Sequence, residues 1–359
     1  MPLPFTNPPN SLCVLRLSAV GDVCHTLPVV RTIQSAWPQT HITWIIGKTE
    51  AGLVGDIPGS EFVIFDKSLG WRAYRSVRRQ LKGRRFDALL HMQMSLRSSL
   101  INRLVNTDIR LGFDRARAKD LQWLVNNQQI PAHSRQHVMD SLFGFTEALG
   151  ITARNLRWDI PVSQQDKDSI NALIPQDKPI LVISPCSSMS YRNWNARGYA
   201  QVADYATQHY AFRVVLSGGT SSQENEMGKN IEKFMTTRPV NLIGKTSLKQ
   251  LLYVLHNADI IVSPDSGPAH MATAVRTPVI GLYACTNPER ARPYFSADYV
   301  VNKYPQAVLG KFGKPPEELP WGTRVRESGT MDRITAEDVM VKLDLLVGEL
   351  RETSGRSGE

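Results

Sequence analysis

Cysteine is scarce in this chain of 359 residues: there are four, Cys13, Cys24, Cys186 and Cys285, and no two stand at a metal-ligand spacing. They read as buried free thiols in a reducing compartment. Long apolar runs are missing as well, since none approaches the roughly 18–20 residues that cross a bilayer. The start, Met1 to Pro9, has neither a basic n-region nor an apolar h-region. It therefore reads as a loose lead-in to the first strand and not as a secretory signal. No Gly-x-Gly-x-x-Gly follows the first strand of either half, which argues against dinucleotide-dependent hydride transfer. The one Asp-x-Asp, Asp166-Lys167-Asp168, lies in a polar stretch away from any strand end and reads as solvated linker. With no other cluster of oxygen ligands, the expectation is no metal.

What is present is an alternation of short apolar runs and amphipathic stretches, the pattern of α/β folds with parallel sheets. A hydrophobic content of 42% is that of an ordinary globular protein, and the length suits two domains. Strands are expected near 13–18, 41–46, 61–65, 87–91 and 109–112 in the first half. In the second they are expected near 179–184, 212–217, 240–243, 259–263 and 278–282. Helices are expected at 22–36, 71–83, 197–208, 222–234, 247–256 and 267–275 between them. The polar segment around Ser163 to Asp168, with Pro161 before it and Pro175 after it, reads as the boundary. The resulting division is 1–165, 176–334, a helix over 335–351 with a good cap at Thr335, and a disordered tail at 352–359.

Two strand-to-helix turns carry chemistry. Ala258 to Val262 reads as a buried strand, followed by Ser263-Pro264-Asp265-Ser266-Gly267-Pro268-Ala269-His270. Gly267 lets a ligand approach the backbone, and Pro268 suits a first helical turn. The unpaired N–H groups of that helix start make an anion site, although an ordinary βα loop fits the geometry equally well. Near the other end, Val14 to Ser18 runs into Ala19-Val20-Gly21-Asp22-Val23 and a helix. Asp22 there fits a helix cap.

These two elements together resemble the signatures of the ADP-heptose:lipopolysaccharide heptosyltransferases, glycosyltransferase family 9. Gly21-Asp22-Val23-Cys24-His25-Thr26-Leu27-Pro28 matches the N-terminal signature throughout. The C-terminal one matches at Asp265 to His270 and from Pro278 to Thr286, except that Ala284-Cys285 stands where the family usually has Gly-Pro. The resemblance covers about residues 12 to 300. It implies the GT-B architecture, two doubly wound Rossmann-like domains facing across a cleft, the first for the acceptor and the second for a nucleotide sugar. The helix at 335–351 could then pack back on the first domain.

For the site, the resemblance implies Asp22 as the general base that takes the proton of the attacking hydroxyl. His25, three residues on, fits either a partner for Asp22 or a structural histidine. In the second domain Ser187, Ser188 and Arg192 take the family's Thr/Ser and Lys positions at the diphosphate; Arg for Lys changes a point charge into a fork. Trp194 reads as packing beneath that loop. After Ser217-Gly218-Gly219, Glu224 is assigned to the ribose, with Glu226 nearly as good a fit. Thr246 is placed beside the adenine, and Asp265, Ser266, Gly267 and His270 at the donor's phosphates and sugar.

Charge is uneven. The chain carries 42 Lys and Arg against 33 Asp and Glu, and from Lys67 to Lys119 there are fourteen basic residues against three acidic. Such a run usually marks a solvated face or a nucleic-acid partner, but no nucleic-acid module accompanies it. The resemblance implies another partner, an anionic lipid A–Kdo acceptor at the cytoplasmic face of the inner membrane. It assigns Arg72, Arg75, Arg79, Gln93 and Arg97 to that acceptor, with Arg78 offset on the helix. The reading is an inverting, metal-independent glycosyltransferase, cytoplasmic and peripherally held at the membrane. It needs no cofactor and moves heptose from ADP-heptose to Kdo or a first heptose. Rivals are a GT-B transferase using another sugar nucleotide and a non-catalytic nucleotide-binding module, which would need no base at Asp22. The stretch Lys303 to Arg326 departs from the family and is a candidate for acceptor choice.

Overall fold

The computed structural model describes residues 3–356, which form two compact units dividing between Pro161 and Val162. In the first, the strands are β1 (Ser11–Leu15), β2 (His41–Gly47), β3 (Ser60–Phe65), β4 (Ala88–His91), β5 (Ile109–Gly112) and β6 (Gln128–Gln129). They form one parallel sheet in the order β3-β2-β1-β4-β5-β6. Its helices are α1 (Val20–Ala36), α2 (Lys48–Val54), α3 (Trp71–Gln80), α4 (Leu96–Asn102) and α5 (Val138–Ala148). Central strands covered on both faces read as unbroken apolar runs. Accordingly Leu12, Cys13, Val14 and Leu15 of β1 are fully buried, and Leu15 lies in register with Ile45 and His91.

The second unit repeats the plan. Its strands are β7 (Ile180–Ile183), β8 (Arg213–Leu216), β9 (Val240–Asn241), β10 (Ile260–Pro264), β11 (Val279–Tyr283) and β12 (Val300–Asn302). They form a parallel sheet in the order β12-β11-β10-β7-β8-β9. The helices are α6 (Gln164–Asn171), α7 (Ala196–Tyr210), α8 (Ser222–Phe234), α9 (Leu248–His256), α10 (Gly267–Ala274), α11 (Pro288–Ala291), α12 (Tyr304–Phe312) and α13 (Ala336–Arg356). The order of strands reverses between β10 and β7, and between β1 and β4 in the first unit. In open α/β sheets ligands bind beyond the carboxyl ends of the strands at such switch points. Trp194 is buried under α7, its indole N–H donating to Ile334 O at 2.9 Å. Gly198 is required there, because a Cβ at that position would lie 2.3 Å from the indole ring.

Several expectations are corrected. Residues 163–168 are not a linker: Ser163 caps α6, accepting from the Asp166 N–H at 3.1 Å, and Asp166 and Asp168 lie on that helix. Its apolar side is reduced to Ile170, too little to give a helical period in the sequence. The C-terminal helix packs within the second unit. Val339, Leu343, Leu346 and Val347 join the core of the second, and Asp344 accepts from the hydroxyls of Tyr205 and Tyr210. That helix also continues five residues past Arg351, so only 357–359 of the expected tail lies outside the described residues. The lead-in is tied down: Phe5 stands edge-on to Trp37 at 6.1 Å, and Pro9 O accepts from Thr40 at 2.6 Å. All four cysteines are buried and free. Burial, with the Asp22 charge second, pushes the Cys24 thiol up to about 12. Among the described residues no helix is long and apolar enough to cross a membrane.

Candidate active site

In the second unit the carboxyl ends of β10, β7 and β8 carry a row of small hydroxyls. Ser184 and Ser217 are hydrogen-bonded to each other, Ser263 donates to Ser184 O at 3.1 Å, and Ser263 and Ser266 share a 2.8 Å hydrogen bond. All four are buried. Ser266 is the N-cap of α10 but spends its hydroxyl on Ser263, so no side chain caps this helix. Its first N–H groups are thereby kept for another acceptor, which suits a phosphate.

Asp265 is the hub. Arg192 Nη1 lies 3.0 Å from Asp265 Oδ2 and donates to Asp265 O at 3.2 Å, and His270 Nε2 stands 3.7 Å from Oδ1. Burial pushes this carboxyl up, but the hydrogen bond from His270, the Arg192 charge and Thr286 outweigh it and hold the group below its usual range. Arg192 is reached from a short turn whose base is fixed by Asn193 Oδ1, which accepts from the Ser187 N–H at 2.7 Å. Buried Arg192 Nε, Tyr191 Oη and Asn193 Nδ2 have no hydrogen-bond partner among the described residues, a donor-rich lining that fits an oxyanion. Ser187 is buried beside this turn and Ser188 is exposed. Glu224 accepts from the Gly219 N–H at 2.7 Å and from the Ser221 hydroxyl at 2.6 Å, whereas Glu226 points to solvent. The Gly219 loop and Thr246 belong to one corner, since the Gly244 N–H donates to Gly218 O at 3.0 Å. The stretch 303–326 reaches this site. Thr286 bridges Arg324, and Asp265, Asn287, Arg290, Trp321 and Thr323 line a small open pocket.

In the first unit Asp22 occupies the third position of α1 and is partly exposed. Its Oδ2 is ion-paired with Arg16 and accepts from the Ala19 N–H at 3.3 Å, while Oδ1 has no partner among the described residues. Arg16 is buried and also donates to Met92 O. Sequence reasoning missed Arg16; the signal was a charged residue ending an otherwise apolar strand. Gln93 does not extend away from this loop. Its Oε1 accepts from the N–H groups of Leu17 at 2.6 Å and Ser18 at 3.3 Å, and its amide donates to Ser18 Oγ at 3.4 Å. His25 is buried, its ring edge-on to His137 at 5.6 Å. Arg72, Arg75, Arg78 and Arg79 are exposed on α3, whose Ala73 and Val77 face the core, and Arg97 is exposed on α4.

The chain has relatives in a known family. The model of glycosyltransferase family 9 (heptosyltransferase) matches residues 74–318. The chain is 42% identical over 346 residues, 96% of its length and 99% of the relative's, to the lipopolysaccharide core heptosyltransferase OpsX of Haemophilus influenzae. It belongs to glycosyltransferase family 9. Among solved structures, a family 9 glycosyl transferase from Veillonella parvula is similar with a TM-score of 0.77 and 20% identity, covering 95% of this chain and 97% of the other. Escherichia coli heptosyltransferase WaaC, determined with ADP, is similar with a TM-score of 0.68 and 19% identity, covering 94% and 99%. These likenesses establish the GT-B fold, and family membership makes the chain a glycosyltransferase. The Asp265 loop lies within the residues that the family model matches.

Behind the Asp22 loop lies His91, fully buried at the end of β4. Its ring contacts Ser98 Oγ at 3.0 Å, Asn102 Nδ2 at 3.0 Å and Asn126 Oδ1 at 3.2 Å. Burial lowers it to about 4, against the hydrogen bond that the ring donates to Asn126 Oδ1 and with help from Arg110. The folded state thus favours the neutral ring. Its contribution is full above the unfolded value of about 6.5 and is lost as pH falls from there towards 4, by up to ~3 kcal/mol. Denaturant unfolding at pH 7, 5.5 and 4.5 should show wild type losing stability across this window. His91→Gln should flatten the slope, and an unchanged slope would sink this account.

Proposed function

We propose that this enzyme transfers heptose from ADP-heptose to the inner core of a lipopolysaccharide precursor, with inversion and without a metal. The observation that carries this is the pairing of a donor-rich turn around Arg192, Asp265 and the uncapped α10 start with a separate carboxylate, Asp22, held by Arg16. The α10 N–H groups and Arg192 would take the diphosphate oxygens, with Ser187, Ser188, Ser266 and Gly267 around them. Asp265 and His270 would meet the heptose hydroxyls, Glu224 the ribose, and Thr246 the adenine side. The acceptor oxygen bonds to the anomeric carbon as the bond to ADP breaks. Its proton passes to Asp22 Oδ1, while Arg16 keeps the other carboxylate oxygen in place. The charge on departing ADP is met by fixed donors rather than an ion. Gln93 supports the Asp22 loop, a role its hydrogen bonds favour over the direct acceptor contact expected from sequence. Arg72, Arg75, Arg79 and Arg97 serve the anionic lipid A–Kdo acceptor, at the cytoplasmic surface of the inner membrane.

Incubation of ADP-heptose with Kdo-lipid A, and separately with its heptosylated product, tests the reading and assigns the acceptor sugar. Transfer to one of them should persist in excess EDTA. No transfer to either would reject the reading, and loss on chelation restored by Mg²⁺ would reject metal independence.

Asp22→Asn should bind ADP-heptose within a few-fold of wild type and lower kcat by ~10²–10⁴, the range for a lost general base. Full activity would leave Asp22 as a helix-start residue that only answers the Ala19 N–H.

Replacing Arg72, Arg75 and Arg79 together by Ala should raise KM for the acceptor and leave that for ADP-heptose nearly unchanged. Added salt should reproduce the effect, because these charges are exposed and the Debye length is about 8 Å at physiological ionic strength. Arg78→Ala alone should matter least; equal losses for both substrates would indicate a damaged fold.

A further inference from the structure

Five large apolar side chains of the first unit stand exposed within a short span of sequence: Leu96 (59%), Leu100 (48%), Leu121 (53%), Trp123 (38%) and Leu124 (52%). They belong to one surface. Leu96, Leu100 and Arg103 share a narrow face of α4 by helical spacing. The turn at 121–124 is fastened to that helix: Arg103 Nη2 donates to Leu124 O at 3.1 Å, and Asn102 Nδ2 donates to Asn126 Oδ1 at 2.9 Å. Gln122 is buried between its exposed neighbours and donates to Gln93 O at 3.1 Å and His91 O at 2.8 Å. Asp120 and Leu121 both adopt left-handed backbone, φ +49° and +58°, which costs of order 1–2 kcal/mol per non-glycine residue. The chain pays that cost to turn Leu121, Trp123 and Leu124 outward over a buried glutamine.

The rim is cationic. Arg97, Arg103, Arg115 and Lys119 are exposed, and Arg115 lies over the Trp123 ring at 3.7 Å. Of the nearby acids, Asp114 is buried against Arg117 and Asp108 pairs with Arg85, which leaves Asp120 as the one exposed carboxylate of the turn against these four bases. Apolar residues that enter the acyl boundary, ringed by bases that meet lipid phosphate, make the composition of a membrane-surface element. The surface also sits beyond the carboxyl ends of β4 and β5, on the edge of the sheet that carries Asp22 and Gln93.

We propose that α4 and the 119–124 turn form the docking surface by which this enzyme seats on an anionic bilayer, with α3 and Arg97, at the margin of that surface, left to the acceptor's head group. This rests on the reading above, in that a lipid-anchored acceptor would be presented at the same sheet edge as Asp22.

The test is flotation of the full chain with vesicles rich in phosphatidylglycerol, and with vesicles of phosphatidylcholine alone. Wild type should float with the anionic vesicles and not with the neutral ones. The double variant Leu100→Glu/Leu124→Glu should lose about tenfold in binding, because it removes apolar insertion and adds like charge. Both sites are exposed, so its melting temperature should stay close to wild type, as should turnover on a water-soluble deacylated acceptor; turnover on vesicle-borne acceptor should fall. Wild-type flotation by the folded double variant would overturn the proposal. So would a concentration-dependent dimer that the variant dissociates without any vesicle binding, which would make a second copy of the chain the occupant. Vesicle binding lost in the variant while no preparation transfers heptose would support the surface and sink the transfer reading instead.

Discussion

The largely covered guanidinium of Arg192 has one counter-charge among the described residues, which buried Asp265 supplies from a different strand end. Removing one partner of such a pair costs about 3–5 kcal/mol, because the other is left buried and uncompensated. The constraint fixes more than two side chains. To meet Arg192, Asp265 must follow β10 directly, which places Ser266 as the N-cap of α10 and aims that helix start at the guanidinium. His270, one turn into α10, and Thr286, after β11, then converge on the same carboxylate. The pair therefore joins three strand ends into one charged floor. The first unit uses the same device in smaller form: Arg16 at the end of β1 is buried, and Asp22 in the first turn of α1 answers it. The two carboxylates differ in exposure: Asp265 is buried, whereas Asp22 is partly exposed and its Oδ1 has no partner among the described residues.

The positions legible in the sequence are those whose chemistry and structure are local. A short apolar run, a glycine or proline turn and a helix start lie within ten residues of each other at Asp22 and at Asp265, so both loops could be read directly. What was not legible is assembled across strands. Ser184, Ser217 and Ser263 become one row only because β8, β7 and β10 are neighbours, and Thr286 reaches Asp265 from β11. Gln93 has the composition of a ligand contact, but its partners are the backbone of Leu17 and Ser18, 76 and 75 residues earlier. β6 and β12, two and three residues long, carry too little pattern to register as strands. Helix α6, with one buried apolar residue, looks like linker for the same reason.

The basic excess of the first unit is partitioned by structure in a way that composition hides. Arg84 is committed to Glu61, Arg85 to Asp108 and Arg117 to Asp114. Arg110 donates to the carbonyls of Asn102 at 2.6 Å and Val105 at 2.7 Å, closing the end of α4. What remains outward is a smaller set on α3 and around α4. The outward basic residues thus gather on α3, beside exposed Leu69 and Trp71, and around α4, beside Leu96, Leu100, Leu121, Trp123 and Leu124. Charge alone attracts an anionic head group and is screened by salt; charge with apolar area also holds a bilayer.

The one departure from the family's C-terminal signature supports the same charged floor. Ala284 and Cys285, in place of Gly-Pro, are both buried, and the Cys285 thiol donates to Tyr191 O at 2.9 Å. Proline has no donor to offer that carbonyl, so the cysteine adds a tie between the end of β11 and the turn that carries Arg192. Burial pushes the Cys285 thiol up to about 11, against the lowering charge of Arg192, so it remains a neutral donor and adds no second anion to compete for the guanidinium. Val325 N–H donates to Cys285 O at 3.0 Å, which lays the 319–326 stretch along the same turn. A substitution that looks like a loss of the signature therefore fastens Arg192 from behind and seats the variable stretch beside Asp265.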